Sequence, residues 1–332
     1  MSADVQPVQV PTSATASKVD FKRGLFTARD LAFLIYYYPL RWMARLVGAP
    51  FFRVAQRWGE RISPWVQARE RRVAEQKLMN RLAVSLPEAQ RISGEFLRCR
   101  VRAVLFVLRR DSGVPLEVAF QTVGREHLES ALEQGRGVIL LTVHCQAKRE
   151  CAAAMQQIGR GFVTLVAGPE RVYREHGRLL WKFARSRLVA LQWQCPNERL
   201  VREDPDSVFE VARVLRGGGL VMMSPDVGDS ATAVEVEVGD YIHRVSVGAL
   251  DIARLTGCVI VPIWPYYAGR DCIIEFRKPL EIVPIEGREE SRRVNTPLLV
   301  DAMAEQIREH PEQWDFWDRN TSGRYAKSAA RG

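Results

Sequence analysis

Gly137-Val-Ile-Leu-Leu-Thr-Val143, followed directly by His144, is the stretch on which the fold of this chain turns. It is a short, unbroken run of apolar and β-branched residues opened by glycine, and it suits a strand buried inside a sheet. Similar runs follow at Phe162-Val-Thr-Leu-Val166, Leu188-Val-Ala-Leu191, Leu220-Val-Met-Met223 and Val259-Ile-Val-Pro-Ile263, with helical patterns between them. Such alternation predicts an α/β domain whose mixed, largely parallel sheet is flanked by helices. Val234-Glu-Val-Glu-Val238 and Tyr241-Ile-His-Arg-Val245, joined by Gly239-Asp240, predict a β-hairpin on a two-residue turn. Residues 272–276 and 280–283 predict a last strand pair, and a helix is expected over about 295–309. Upstream, residues 75–107 alternate charged and apolar positions at helical spacing and break at Leu86-Pro87, which predicts two helices.

The 332 residues, 47% of them apolar, can bury a sizeable core, and the net charge of +9 points to an anionic partner. Much of that charge is local. Residues 41–72 hold Arg41, Arg45, Arg53, Arg57, Arg61, Arg69, Arg71 and Arg72 against only Glu60 and Glu70. Just before them, Leu31-Ala-Phe-Leu-Ile-Tyr-Tyr-Tyr-Pro-Leu40 is aromatic and apolar but shorter than the about 20 residues a bilayer span requires. Together these features describe a segment lying among lipid headgroups. Two other readings are a weakly hydrophobic membrane anchor and an amphipathic helix packed on the protein's own core. The expected organisation is a disordered tail over 1–24, a helical, basic, membrane-associating segment over 25–72, a catalytic domain over 73–320 and a second tail over 321–332. The first 19 residues lack a basic stretch followed by an apolar one, so a cytoplasmic location is expected. The six cysteines are scattered, with no C-x-x-C pair; they read as reduced core thiols, and no metal-ligand spacing appears.

Of the five histidines, only His144 directly follows a strongly apolar strand. The carboxyl ends of strands are where α/β sheets gather ligands and catalytic groups. Cys145 beside it could suggest a thiol nucleophile, but adjacent side chains diverge. Gly217-Gly-Gly219 lacks the Gly-Lys-Ser/Thr ending of a phosphate loop and reads as a helix stop.

Several stretches, in this order, resemble the lipid A lauroyl/myristoyl acyltransferases of the lysophospholipid acyltransferase superfamily. They are Asn80-Arg-Leu-Ala-Val-Ser-Leu-Pro87, the segment from Gly135 to His144, Arg171-Val-Tyr-Arg174, Ser224-Pro-Asp-Val-Gly228, the run from Val247 to Pro262, and Ile307-Arg-Glu-His-Pro-Glu-Gln-Trp314 with Trp317. The likeness extends over about residues 72–319. It implies an acyltransferase that moves a fatty acyl group from acyl carrier protein or coenzyme A, without a resident cofactor, to the hydroxyl or amine of a lipid-like acceptor at the cytoplasmic face of the bacterial inner membrane. By resemblance, His144 opens a His-x-x-x-x-Asp/Glu motif and acts as general base, an acid partner steadies the imidazolium, and backbone N–H groups after His144 could meet the carbonyl oxygen.

One departure stands out. The expected acidic position holds Arg149, and the carboxylate comes one residue later, at Glu150. On a regular helix that step is a rotation of about 100°. A bulge near Cys145-Gln146 could restore the register; otherwise Asp226 supplies the acid, or the dyad is lost. Asp226 could also bind the acceptor or cap a turn. Arg171 and Arg174 suit a phosphate-bearing headgroup, or simply a solvated helix face. The rival functions are an inactive lipid-binding relative of the same fold, a thioesterase-like hydrolase, and a nucleic-acid binder, the last suggested by charge alone and without a recognition motif.

Overall fold

The computed structural model describes residues 28–115, 120–166, 198–202, 206–226, 232–238, 241–269, 271–318 and 323–325. Four helices come first: α1 (Ala28–Val47), α2 (Ala49–Val66), α3 (Ala68–Leu82) and α4 (Leu86–Asp111). Strands and helices then alternate through β1 (Phe120–Val123), α5 (Arg125–Glu133), β2 (Val138–Leu141), a 3-10 turn (Gln146–Glu150), α6 (Cys151–Gln157) and β3 (Phe162–Val166). After β4 (Glu198–Arg202) come α7 (Ser207–Arg216), β5 (Leu220–Met223), β6 (Ala233–Val238), β7 (Tyr241–Ser246), α8 (Gly248–Thr256), β8 (Val259–Ala268), β9 (Asp271–Phe276), α9 (Arg288–Glu309) and β10 (Gly323–Tyr325).

Seven strands form one sheet in the order β1-β9-β8-β2-β5-β3-β4. Every pair in it is parallel except β8 with β9, which gives the mixed, largely parallel α/β fold that the sequence predicts. β2 lies near the middle, and its side chains are buried on both faces. Ile139 and Leu141 pack with Leu78, Phe96 and Leu97 in one layer, and Val138 and Leu140 with Leu128, Met155 and Phe276 in the other. Burial of each such side chain contributes roughly 1.5–3 kcal/mol. Gly137 opens the strand because nothing larger fits: a Cβ there would lie 2.2 Å from the Leu215 carbonyl oxygen.

The hairpin of β6 and β7 pairs antiparallel, as expected, and β10 joins it on the β7 side. That third strand falls within residues 321–332, which the sequence places in a tail; the 1–24 tail and the Leu188–Leu191 run lie outside the described residues. One expectation needs correcting. Residues 280–283 do not form a strand: the Leu280 N–H reaches the Ile260 carbonyl of β8 (2.8 Å), but Val283 is held by a side chain, since Asn295, fully buried, donates from Nδ2 to the Val283 carbonyl (3.0 Å) and accepts the Val283 N–H (2.8 Å). The final helix also starts earlier than expected, at Arg288.

α2 docks on α4 through the Phe52–Leu108 contact cluster and the Arg102–Glu60 ion pair at 2.8 Å. Its other side faces solvent. Val54, Trp58, Ile62 and Trp65 form an exposed apolar stripe at helical spacing, and Arg53, Arg57 and Arg61 run beside it. Among the described residues, no helix is long and apolar enough to cross a membrane.

Candidate active site

β2 and β5 are hydrogen-bonded neighbours, with Val138 opposite Leu220 and Leu141 opposite Met223. Three residues beyond each strand, the same register places His144 opposite Asp226. The pair makes two contacts: the His144 backbone N–H donates to Asp226 Oδ2 (2.8 Å), and ring Nδ1 lies 2.7 Å from Oδ1. With the carboxyl ionised, Nδ1 carries the hydrogen, so Nε2 keeps a free lone pair. The imidazole is about one-third exposed, whereas the Asp226 side chain is fully enclosed.

Burial by itself would raise the Asp226 pKa. The His144 charge, the His144 ring and backbone donors and the Trp314 indole together outweigh it and hold the carboxyl below its usual range. Trp314 Nε1–H donates to Oδ2 at 3.0 Å. Lys148 on the 3-10 turn reaches back to Ser224 Oγ (2.6 Å), tying that turn to the Ser224-Pro225-Asp226 stretch. Burial depresses the Lys148 pKa, and Asp226 pulls it the other way.

Glu150 is elsewhere. Cys145 is extended (φ −124°, ψ 161°), and Gln146–Glu150 winds as a 3-10 turn before α6 begins, so the α-helical phase assumed from the sequence does not apply. Fully buried, Glu150 accepts a hydrogen bond from the Tyr267 hydroxyl on β8, and desolvation pushes its pKa up to about 7. The structure thus pairs His144 with Asp226, and Glu150 with Tyr267. Arg171 and Arg174 lie outside the described residues. Cys145 is buried, and burial drives its thiol far above the range in which a thiolate would form.

The C-terminal part of the chain also builds this site. Gln306 of α9 accepts the Val143 N–H at 3.1 Å and donates to Thr142 Oγ1 at 3.3 Å, completing the hydrogen bonding at the end of β2. The Asp315 N–H donates to the His144 carbonyl at 2.8 Å, Cys145 bridges to Trp314, and the Phe316 ring lies 5.2 Å from the imidazole. From the sequence, the Trp314 block carries a resemblance but no role. The available signal is chemical: a buried tryptophan needs an acceptor for its N–H.

A part-exposed histidine with one ring nitrogen fixed by a buried carboxylate, at the carboxyl ends of parallel strands of an α/β sheet, is an arrangement chemically suited to proton transfer. The profile of the bacterial lipid A biosynthesis acyltransferases matches residues 105–320, and the chain belongs to that family. It is therefore an acyltransferase of a family that acts in lipid A biosynthesis. The match begins inside α4, so α1–α3 precede it. The search of curated proteins gives no matching relative.

Proposed function

We propose that this acyltransferase transfers a fatty acyl group from the thioester of acyl carrier protein or coenzyme A to the hydroxyl or amine of a lipid-like acceptor, with His144 as general base. Nε2 takes the acceptor proton as the acceptor atom attacks the thioester carbonyl. The resulting tetrahedral intermediate expels the donor thiolate, which recovers the proton from the imidazolium. Asp226 holds the ring in the required tautomer and stabilises its charged form. No covalent enzyme intermediate or resident cofactor takes part. The observation that carries this reading is the two-point contact between His144 and Asp226.

The exposed stripe of Val54, Trp58, Ile62 and Trp65, with its parallel row of arginines, supports work at an anionic membrane surface, on the cytoplasmic face of the inner membrane. Lipid acceptors reside there, and acyl carrier protein, coenzyme A and anionic lipid would all meet a basic protein favourably.

The test incubates purified protein with radiolabelled acyl carrier protein or coenzyme A donors and a total lipid extract. His144→Ala and Asp226→Asn should each lose about 10²–10⁴-fold in transfer, the range for general base catalysis, while Glu150→Gln should keep most of it. A Glu150→Gln loss equal to that of His144→Ala, with Asp226→Asn active, would return the acid role to Glu150. Label released as free fatty acid without an acceptor would indicate a hydrolase, and lipid binding without His144-dependent turnover a binding protein.

A further inference from the structure

The C-terminal residues Trp314 and Phe316 are more than core filler. Trp314 is 3% exposed, and its indole N–H points at Asp226 Oδ2, the same oxygen that accepts the His144 backbone N–H. Its ring packs edge-on against Trp317 at 4.7 Å and against Phe316 at 5.9 Å, while the Arg81 guanidinium sits 5.7 Å from its centre. Phe316 in turn lies across the imidazole at an interplanar angle of 36°. Three hydrogen bonds hold this group in place. The Asp315 N–H donates to the His144 carbonyl, Gln146 Nε2 donates to Asp315 Oδ1 at 3.0 Å, and Trp317 Nε1–H donates to the Pro311 carbonyl at 2.5 Å.

Two independent contacts thus converge on the proton-transfer pair from one short segment. Trp314 fixes the carboxylate, and Phe316 limits how far the imidazole can swing. We propose that Trp314 and Phe316 are positioning residues of the acyl-transfer site, Trp314 setting the orientation and basicity of Asp226 and Phe316 the plane of His144. The proposal rests on the reading of His144 as the base. Without the indole donor, the charge on Asp226 is less dispersed, so the carboxylate binds the imidazolium more strongly. The pair then holds its shared proton more tightly, and activity falls on the acid side of the profile.

The experiment measures kcat, KM and the pH dependence of kcat/KM for Trp314→Phe, Phe316→Leu, His144→Ala and Asp226→Asn, alongside thermal stability. Trp314→Phe should lower kcat about tenfold, as expected for the loss of a hydrogen bond to a charged group, leave KM nearly unchanged, and move the acid limb to higher pH. Phe316→Leu should lower kcat without moving that limb. Should Trp314→Phe fail to fold, benzothienylalanine at position 314 keeps the ring shape and removes only the N–H, and the same shift is expected. A lower melting temperature with kcat and the acid limb both at wild-type values would reduce Trp314 to a structural role and overturn the proposal. If His144→Ala and Asp226→Asn remain active, it is the base reading that fails, and the two failures are thereby distinguished.

Discussion

Glu150 is a carboxyl group sealed from water, and a sealed carboxyl prefers its neutral form. Its pKa of about 7 in the folded chain, against an ordinary 4.5, makes the folded state the stronger proton binder. Below about pH 4.5 both states hold the proton and the group costs nothing. Between there and 7 the unfolded chain ionises first, so stability falls as pH rises, by about 3 kcal/mol at most. Glu150→Gln should therefore stabilise the protein at pH 8, with the advantage vanishing near pH 4, as read by urea denaturation at both values. Equal effects at the two pH values would refute the buried-acid account. The same residue shows what a sequence hides. His144 is legible because it directly follows a strand-like run. Its acid partner is legible only as a choice between Glu150 and Asp226, because spacing along a chain reports proximity only within one continuous helix, and here an extended residue and a 3-10 turn intervene.

Elements show a similar division. The runs at 138–141, 162–166 and 220–223 and the hairpin are readable, since buried strands need continuous apolar stretches and hairpins need a turn. β8 runs five residues beyond its expected end because its outer half pairs only with β9, leaving the β2 side open where Pro265 cannot donate. The segment 280–283 has the apolar character of a strand yet is not one: the Leu280 N–H reaches the Ile260 carbonyl of β8, but at Val283 the amide of Asn295 takes the place of a neighbouring strand. Asn295→Ala would leave the N–H and the carbonyl of Val283, a residue 44% exposed, without those partners. It should cost roughly 1–3 kcal/mol in denaturation experiments, the net contribution of two hydrogen bonds, while Asn295→Asp should fare no better, having lost the donor. Little or no change for the alanine variant would mean that water replaces both bonds.

For the molecule as a whole, the charge asymmetry legible in residues 41–72 becomes a surface feature only once α2 is docked, because docking decides which residues face outward. The proposed membrane face predicts salt-sensitive binding to vesicles containing anionic phospholipid and weak binding to neutral ones. Arg57→Ala and Arg61→Ala should each weaken it about fivefold, near 1 kcal/mol per basic residue, and Trp65→Ser should weaken it at any salt concentration; indifference to vesicle charge would remove this surface from the proposal. The register between β2 and β5 has a consequence for how such a protein can change over time. The side chains of His144 and Asp226 stand 82 positions apart, and their meeting depends on the ladder between two strands rather than on the length of chain that joins them. Loops between the strands can therefore be lengthened or shortened without separating the pair. Slippage of one strand by a single step, about 3.3 Å, would turn the carboxylate to the opposite face. Variation in length should be tolerated in the loops of the connecting chain and be nearly forbidden within the eight residues of the two strands.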